Sequence, residues 1–205
     1  MDVIFGNKTK GAKGKKRTKG TKGRRSTNNN NNIRPTTTRR SKHLKGTKIK
    51  IKYVPLRLTK KDKIKQQKML NKSRKLYKKG IYYTRKPVKS YQSKKSKHVI
   101  NAMKMYNMDN ITPNDKLAKA TGCSRPSLEK IVNKGEGAYY SSGSRPNQTA
   151  QSWGIARLAS AITAGKAAVI DYSILKKGCK KNSKALRLAK KAFSKYGKTQ
   201  KIKKN

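Results

Sequence analysis

The sequence predicts a mainly α-helical protein: a small helical domain with short strands, carrying extended basic arms at its N- and C-termini. Two observations lead to this fold class. Apolar residues recur at helical spacing, in runs that begin at Thr or Pro and end at Gly. Basic residues are concentrated at the two ends of the chain, where few apolar residues are available to build a core.

The excess of positive charge restricts the partners of the protein. Its 205 residues include 57 Lys and Arg against seven Asp and Glu, for a formal net charge of +50. A small domain ordinarily carries a net charge of about 2 to 8, so repulsion within this chain requires a polyanion or a counter-charged assembly around it. Nucleic acid is the expected polyanion, because Lys and Arg that neutralise phosphates release condensed counterions without reading sequence.

The distribution of charge divides the chain into three parts. Residues 1–50 hold 17 basic residues and one acid, residues 176–205 hold 13 and none, and residues 122–172 hold six with three acids. With 32% apolar residues and two Phe, the core is expected to be small. We predict a basic low-complexity arm over residues 1–47, a folded helical domain over 48–175, and a basic C-terminal helix and tail over 176–205.

The predicted N-terminal arm has too few apolar residues to offset the entropy of ordering it alone. It repeats Thr-Lys-Gly at 9–11, 18–20 and 21–23 and contains a run of Asn at 28–32. Such an arm is expected to thread along a partner, and a nuclear-localisation cluster is a compatible alternative. Its candidate contacts with nucleic acid or a partner protein are Lys15, Lys16, Arg17, Arg24, Arg25, Arg39 and Arg40.

The first half of the domain is predicted to contain two helices and two extended segments. Apolar residues alternate with Lys over 49–53, which is strand periodicity. Thr59 and Asp62 resemble a capping box that opens a helix of about five turns ending at Gly80. Residues 81–83 then look extended. A second helix is predicted from Lys94 to about Asn107, with four apolar residues at core spacing: Val99, Ile100, Met103 and Tyr106.

Residues 112–135 have the spacing of a helical hairpin. Pro113 is predicted at the first helical position, and Gly122 supplies the turn before a second helix. The pattern resembles the helix-turn-helix of lactose-repressor-type regulators. Two alternatives remain open: the second helix enters a DNA groove with Arg125 and Lys130 as contacts, or the hairpin is purely structural.

Residues 135–149 are rich in Gly and Ser and are predicted to form a loop with tight turns. One alternative is that backbone N–H groups and Arg145 cradle a phosphate. The other is that Tyr139 and Tyr140 lock the loop over the core. The Gly-Lys-Ser/Thr ending of a nucleotide-binding loop is absent, so ATP binding is not expected.

Two further helices are predicted, one inside the domain and one in the C-terminal segment after residue 175. Thr149 is predicted to cap the first, with Trp153 anchored in the core. The last helix, from about Asn182 to Tyr196, has an apolar face and a basic face. Its Lys190 and Lys191 are candidate contacts with nucleic acid or an acidic protein surface.

Few residues suit catalysis or metal binding. Cys123 and Cys179 are far apart in sequence, and the two His residues lie outside the compact block, so zinc-ligand spacing is absent. The thiols suit a reducing interior, although one disulfide remains open. No enzyme activity, cofactor or metal is expected. No apolar run approaches about 18 residues, and the N-terminus does not resemble a signal peptide, so we expect synthesis in the cytosol and no membrane insertion.

A long motif runs through the second half of the chain. It reads GAYYSSGSRPNQT over 137–149, SWG over 152–154, ARLAS over 156–160 and GKAA over 165–168. This motif resembles an uncharacterised domain of nucleocytoplasmic large DNA viruses of the phycodnavirus and mimivirus kind, also found in some tailed phages. The similarity extends from about Tyr53 to Ala189. The resemblance implies a viral origin and a virion component, and it transfers no catalytic residue.

Together, these features favour a non-enzymatic structural protein of a large DNA virus particle, made in the host cytoplasm. A minor capsid protein would use the basic arm to staple neighbouring capsid proteins and would face packaged DNA. The alternative is a protein of the virion core that condenses DNA through non-specific phosphate contacts.

Overall fold

The protein is mainly α-helical, as the sequence predicts. A computed structural model describes residues 49–197. These residues form a 3-10 turn at Ile51–Tyr53 followed by eight α-helices. The helices are α1 Lys60–Tyr77, α2 Lys97–Tyr106, α3 Asp115–Thr121, α4 Arg125–Ser141, α5 Ala150–Ile162, α6 Lys166–Ile170, α7 Tyr172–Gly178 and α8 Lys184–Tyr196. The predicted arm over residues 1–47 lies outside the described residues.

The start of α1 is capped by Thr59 as predicted. The bond that would complete the capping box, from the Thr59 N–H to the Asp62 side chain, goes instead to Ser90, which is distant in the sequence. The Thr59 hydroxyl accepts the Asp62 N–H at 3.3 Å. The Asp62 carboxylate accepts both the N–H and the hydroxyl of Ser90, at 2.8 and 2.7 Å. The Thr59 N–H donates to the Ser90 hydroxyl at 3.2 Å. The bonds from Ser90 hold the pKa of Asp62 below its ordinary value and attach the 81–93 segment to α1.

Neither of the two extended segments predicted in the first half of the domain forms part of a sheet. Residues 51–53 form a 3-10 turn, in which the Tyr53 N–H donates to the Lys50 carbonyl at 2.9 Å. Residues 81–83 are irregular, and β pairing among residues 49–197 is confined to isolated bridges, at Lys50 and between Cys123 and Cys179. The alternation over 49–53 still describes burial, since Ile49 and Tyr53 are buried whereas Lys50 and Lys52 are exposed.

Helices α2 and α3 begin later than predicted. Asn114, not Pro113, precedes the first turn of α3, and its side-chain oxygen accepts the Leu117 N–H at 2.9 Å. Helix α2 starts at Lys97 rather than Lys94. Within it Tyr106 is buried and donates its hydroxyl to the Ile162 carbonyl at 2.7 Å, and burial raises the pKa of Tyr106. Ile100, predicted for the core, is 37% exposed.

Helix α4 continues through the region predicted to be a loop. It runs to Ser141, so only residues 142–149 connect it to α5. Gly135, predicted to begin a turn, instead lets α4 pack closely against α5. A Cβ added at Gly135 would lie 2.6 Å from the Gly154 Cα on α5, and one added at Gly154 would lie 2.8 Å from the Val132 carbonyl oxygen. The two backbones therefore approach each other where neither helix has a side chain.

Gly135→Ala is expected to destabilise the protein by roughly 1 to 3 kcal/mol, the usual effect of forcing extra atoms into a packed interior. The added methyl group meets backbone, which cannot move aside as a flexible side chain can. Chemical denaturation of both proteins measures the difference. Gly197→Ala is the control, because its added Cβ meets only the Phe193 ring at 3.4 Å or more. Equal stability of the Gly135 variant and the wild type would contradict the close crossing.

The principal core lies among helices α2 to α8. Its centre includes residues from α3, α4 and α5 that are fully buried: Leu117, Leu128, Ile131, Leu158 and Ile162. Helix α8 contributes Ala185 and Ala189 to the same cluster, and its first turn is capped by the Ser183 hydroxyl. Residues 184–196 therefore pack within the folded domain, and the predicted domain boundary at residue 175 differs from the structure. The tail beyond residue 197 lies outside the described residues.

A second, smaller hydrophobic cluster forms around α1. Its buried members are Ile49, Tyr53, Val54, Leu58, Met69, Leu70, Val88 and Tyr91. Trp153 packs against this cluster, with its ring 6.1 Å from that of Tyr53 at 73°. Trp153 is only partly buried, so it seals the edge of the second cluster instead of anchoring the principal core.

A buried arginine connects α1 to α4. The Arg85 guanidinium donates to the Ser73 hydroxyl at 3.0 Å, the Tyr139 carbonyl at 3.1 Å and the Ser144 hydroxyl at 2.8 Å. It also lies 3.6 Å from the centroid of the Tyr139 ring. Burial lowers the pKa of Arg85. All of the acceptors are neutral, so the charge is held by hydrogen bonds and by the ring face.

Candidate nucleic-acid interface

The predicted helical hairpin exists and is fastened at its turn to a later part of the chain. Helix α3, a short turn and α4 follow in order, and a disulfide joins Cys123 in the turn to Cys179 after α7. The Ser124 N–H donates to the Gly178 carbonyl at 2.7 Å, and the Lys180 N–H donates to the Gly122 carbonyl at 2.9 Å. Of the two states that the sequence left open for the thiols, the structure has the bonded one.

The end of α7 packs against one side of the start of α4, while Arg125 and Pro126 stay exposed on the other. A Cβ added at Gly178 would lie 1.7 Å from the Ser127 hydroxyl oxygen. Arg125 is exposed, but its Nε donates to Glu129 at 2.8 Å within the same helix. A reading helix needs the side chains of its first turns to reach base edges. The disulfide and the close packing of Gly178 on Ser127 support the structural alternative, and groove entry through Arg125 and Lys130 stays a prediction.

A buried carboxylate organises the junction of α4, α5 and α7. Asp171 is fully buried between α6 and α7. Its two oxygens accept the Nε and Nη2 of Arg157 at 2.7 and 2.8 Å, and Lys134 Nζ lies 3.0 Å from Oδ1. A fork of this kind gives a strong, oriented, charge-assisted contact. The same carboxylate holds Lys134 of α4 beside the start of α7.

A shallow cleft with three lysines lies between α4 and α7, next to this carboxylate. Its volume is about 330 Å³. It is lined by Ser127, Lys130, Lys134, Ser173, Ile174 and Lys177. Only Lys134 is paired with an acid, so the lysines carry more positive charge than Asp171 neutralises. Ammonium and hydroxyl donors facing one cleft suit a phosphate group. We call this group of residues the lysine cleft.

The other predicted contact residues are spread over the surface. Lys190 and Lys191 are exposed on α8, and Arg145 is exposed in the 142–149 loop. Burial lowers the pKa of Lys52, and the charges of Lys50, Arg145 and Lys166 lower it further. Arg145 therefore lies in a second group of cations, with Lys50, Lys52 and Lys166. The seven predicted contacts between Lys15 and Arg40 lie outside the described residues.

The 142–149 loop is locked against the segment that follows α1. The Asn147 side chain accepts the Val88 N–H at 2.8 Å and donates to the Val88 carbonyl at 3.0 Å and to the Tyr91 carbonyl. Ser144 is buried and accepts from Arg85. This supports the locked alternative over a phosphate cradle, although Ser144 and Asn147 do most of the locking and Tyr139 sits inside α4.

A second shallow cleft lies beside this loop. It occupies about 440 Å³ between residues 93–99 and 147–155. Hydroxyl and amide side chains line much of it, together with Lys94 and Lys95. It adds donors to the basic surface of the described part of the chain.

Sequence reasoning missed the residues that organise the site, and one signal for them was available. Asp171 is the only acid after Glu136, in a stretch rich in Lys and Arg. An isolated acid in such a background is typical of a buried counter-charge. Lys130 and Lys134 are one helical turn apart, so they lie on the same face of a helix. Because that helix was predicted to end near Gly135, Lys134 fell at its end and was not included among the candidate contacts.

Within residues 49–197, no three His, Cys, Asp or Glu side chains lie close enough to hold a metal ion. No helix among the described residues is long and apolar enough to cross a membrane. A family model described as a family of unknown function (DUF5824) matches residues 50–182, about two thirds of the chain. No curated protein and no solved structure matches the chain.

Proposed function

Because the chain belongs to this family of unknown function, and the family assigns no activity, we propose a function from the surface of the protein itself. It is a non-enzymatic structural protein of a DNA virus particle that binds packaged nucleic acid through phosphate contacts. Its partners are nucleic acid and the neighbouring proteins of the particle. The viral setting rests on the resemblance of the motif over residues 137–168.

The lysine cleft is the observation that carries the phosphate-binding part of this proposal. Lys130, Lys134 and Lys177 come from two helices that the Asp171 contacts hold together. Lys134 is held by Asp171, so it loses less side-chain entropy on binding a phosphate than a mobile surface lysine does, and Lys130 and Lys177 add charge beside it. The net charge of +50 supplies the long-range attraction that brings a polyanion to this surface.

The geometry of the hairpin supports binding without sequence preference. At the start of α4, the exposed Arg125 is paired with Glu129 of the same helix, and α7 packs closely against Ser127. Phosphate contacts position a protein on nucleic acid but carry no sequence information. We therefore infer that affinity comes from charge neutralisation.

Replacing two lysines of the cleft is expected to weaken duplex DNA binding and to reduce its salt dependence. In the double variant Lys130→Gln/Lys177→Gln, the slope of log affinity against log salt should fall by about 0.9 for each phosphate that is no longer neutralised. Lys134 is kept because its loss would unpair Asp171. Fluorescence anisotropy with labelled duplexes of scrambled sequence, over a range of salt concentrations, measures both quantities.

The matched control is Lys116→Gln/Lys119→Gln, which removes two exposed lysines from α3 outside the cleft. Its effect on the slope should be smaller than that of the cleft variant. Affinity that stays constant with salt, or strong preference for one duplex sequence, would contradict the proposal as a whole. Equal effects of the two double variants would reject the cleft and leave a diffuse basic surface.

Two locations in a particle are proposed for the protein, the capsid shell and the DNA core. A minor capsid protein is favoured by residues 1–47, whose composition suits an arm that staples neighbours. A core protein that condenses DNA is favoured by the cationic surface of the described domain. Separating purified virions into shell and core fractions, and detecting the protein in each, distinguishes them. Recovery in the shell supports the capsid role, and recovery with the DNA supports the condensing role.

A further inference from the structure

Three tyrosines form an aromatic cluster at the end of α1. Tyr77 is the last residue of α1, Tyr82 follows in the irregular segment, and Tyr140 lies near the end of α4. The Tyr77 and Tyr140 rings are nearly parallel at 7°, with centroids 6.3 Å apart. Tyr82 meets both edge-on, at 5.9 Å from Tyr77 and 5.1 Å from Tyr140. We call this group the tyrosine cluster.

The tyrosine cluster is open to solvent at Tyr82, and its other two rings are partly buried. The Tyr82 residue is 67% exposed, and Ile81 beside it is 51% exposed. Single exposed apolar residues need no explanation, but adjacent ones on an aromatic cluster indicate a contact surface. The sequence predicts an extended segment over residues 81–83, and the structure places the Tyr82 ring of that segment at the surface.

The cluster rests on a rigid base. Tyr140 contacts the fully buried Tyr139 edge-on at 5.0 Å. Tyr139 is held from the other side by Arg85, whose guanidinium lies over its ring and whose backbone N–H donates to its hydroxyl at 3.3 Å. A ring held in this way loses little freedom when a flat partner stacks on the cluster.

The charge around the cluster selects an anionic partner. Seven Lys and Arg and no acid occur from Lys72 to Lys86, the stretch that carries Tyr77 and Tyr82, although one of the seven, Arg85, is buried. On α4, one acid, Glu136, lies one helical turn before Tyr140. The α1 acid, Asp62, lies at the opposite end of that helix and is bonded to Ser90. A neutral apolar partner would gain nothing from these cations, whereas a polyanion with flat apolar groups would use both features.

We propose that the tyrosine cluster stacks unpaired bases and gives the protein a preference for single-stranded nucleic acid. The bases of a duplex are stacked on one another and offer no free face, so an exposed ring can stack only on a base that is unpaired or at an end. The surrounding lysines and arginines bind the adjoining phosphates. This inference rests on the proposed function, because it assumes that the basic surface binds nucleic acid.

The test uses the full chain and a labelled oligoadenylate DNA strand, free or paired with its complement, at one salt concentration. Tyr82→Ala should weaken binding of the single strand by about tenfold, as loss of one stacking ring does. Its affinity for the duplex should be unchanged. Tyr82→Phe keeps the ring and should bind as the wild type does. Phe193→Ala removes another partly exposed ring, on the basic α8, and is the matched control with no expected effect.

The outcomes separate this inference from the proposed function. If the wild type binds both forms and Tyr82→Ala changes neither affinity, stacking at the cluster is rejected and phosphate binding stands. Equal weakening of both forms by Tyr82→Ala also rejects a single-strand preference. If the wild type binds neither form, the proposed function itself fails. Because Tyr82 is mostly exposed, its variants should stay folded, and a melting temperature well above the assay temperature for every variant excludes unfolding as the cause.

Discussion

Asp171→Asn is expected to lower the free energy of unfolding by about 3 to 5 kcal/mol, the usual effect of removing one partner of a buried ion pair. The asparagine has nearly the same volume, so the loss comes from charge and not from a cavity. Arg157, of which 18% of the side chain is exposed, would keep its guanidinium in a partly buried place without a counter-charge. Lys134 would also lose its acid. Urea denaturation of variant and wild type measures the change.

Glu129→Gln is the matched control for this prediction. Both variants change an acid to its amide, but Glu129 pairs with Arg125 on the surface of α4, where solvent screens the interaction. We expect no measurable change in stability for the control. Similar midpoints for the two variants would show that the buried carboxylate does not organise the junction of α4, α5 and α7.

Loss of the disulfide is expected to destabilise the protein by about 4 kcal/mol, from the loop-closure entropy of a cross-link over this separation. Cys123 and Cys179 are 56 residues apart in sequence. The bond therefore closes a ring of chain that contains α4, α5, α6 and α7. Breaking it leaves the native contacts in place but returns freedom to the unfolded chain. Thermal denaturation with and without a reductant measures the change.

The double variant Cys123→Ser/Cys179→Ser provides the control for the reductant. It should melt near the reduced wild type and should not respond to further reduction. If the reductant leaves the melting temperature of the wild type unchanged, the cross-link contributes nothing to stability. If the reductant destabilises the double variant equally, its effect on the wild type is unrelated to the bond.

Helix caps and apolar spacing were predictable because they depend on residues close together in the chain. Thr59 and Thr149 cap helices as predicted, and the Thr149 capping box is completed by Ser152. The mainly helical fold followed from these local signals. The same signals fail for glycine, which can either end a helix or let two helices pack closely. Gly135 was interpreted as a helix end, yet in the structure it lets α4 pass close to Gly154.

The arrangement of the candidate site depends on contacts that local patterns do not encode. Asp171 joins residues of α4 and α5, and Arg85 joins α1 to the end of α4. The partners of Arg85 and Asp171 lie at least 12 residues away in the sequence, far beyond the three- or four-residue spacing of contacts within one helix. The strand predicted over 49–53 failed for the same reason, because a strand needs a distant neighbour that its own sequence does not specify. The alternation there recorded burial only.

The attachment of α1 to the rest of the molecule has a consequence for handling the protein. Arg85 binds hydroxyl and carbonyl oxygens and an aromatic face, with no carboxylate among them. Added salt screens exposed charges but has little effect on such buried contacts. The ionic strength that releases a polyanion from the basic surface therefore leaves this junction intact. The protein should be recoverable from its assembly in folded form by salt extraction, without denaturant.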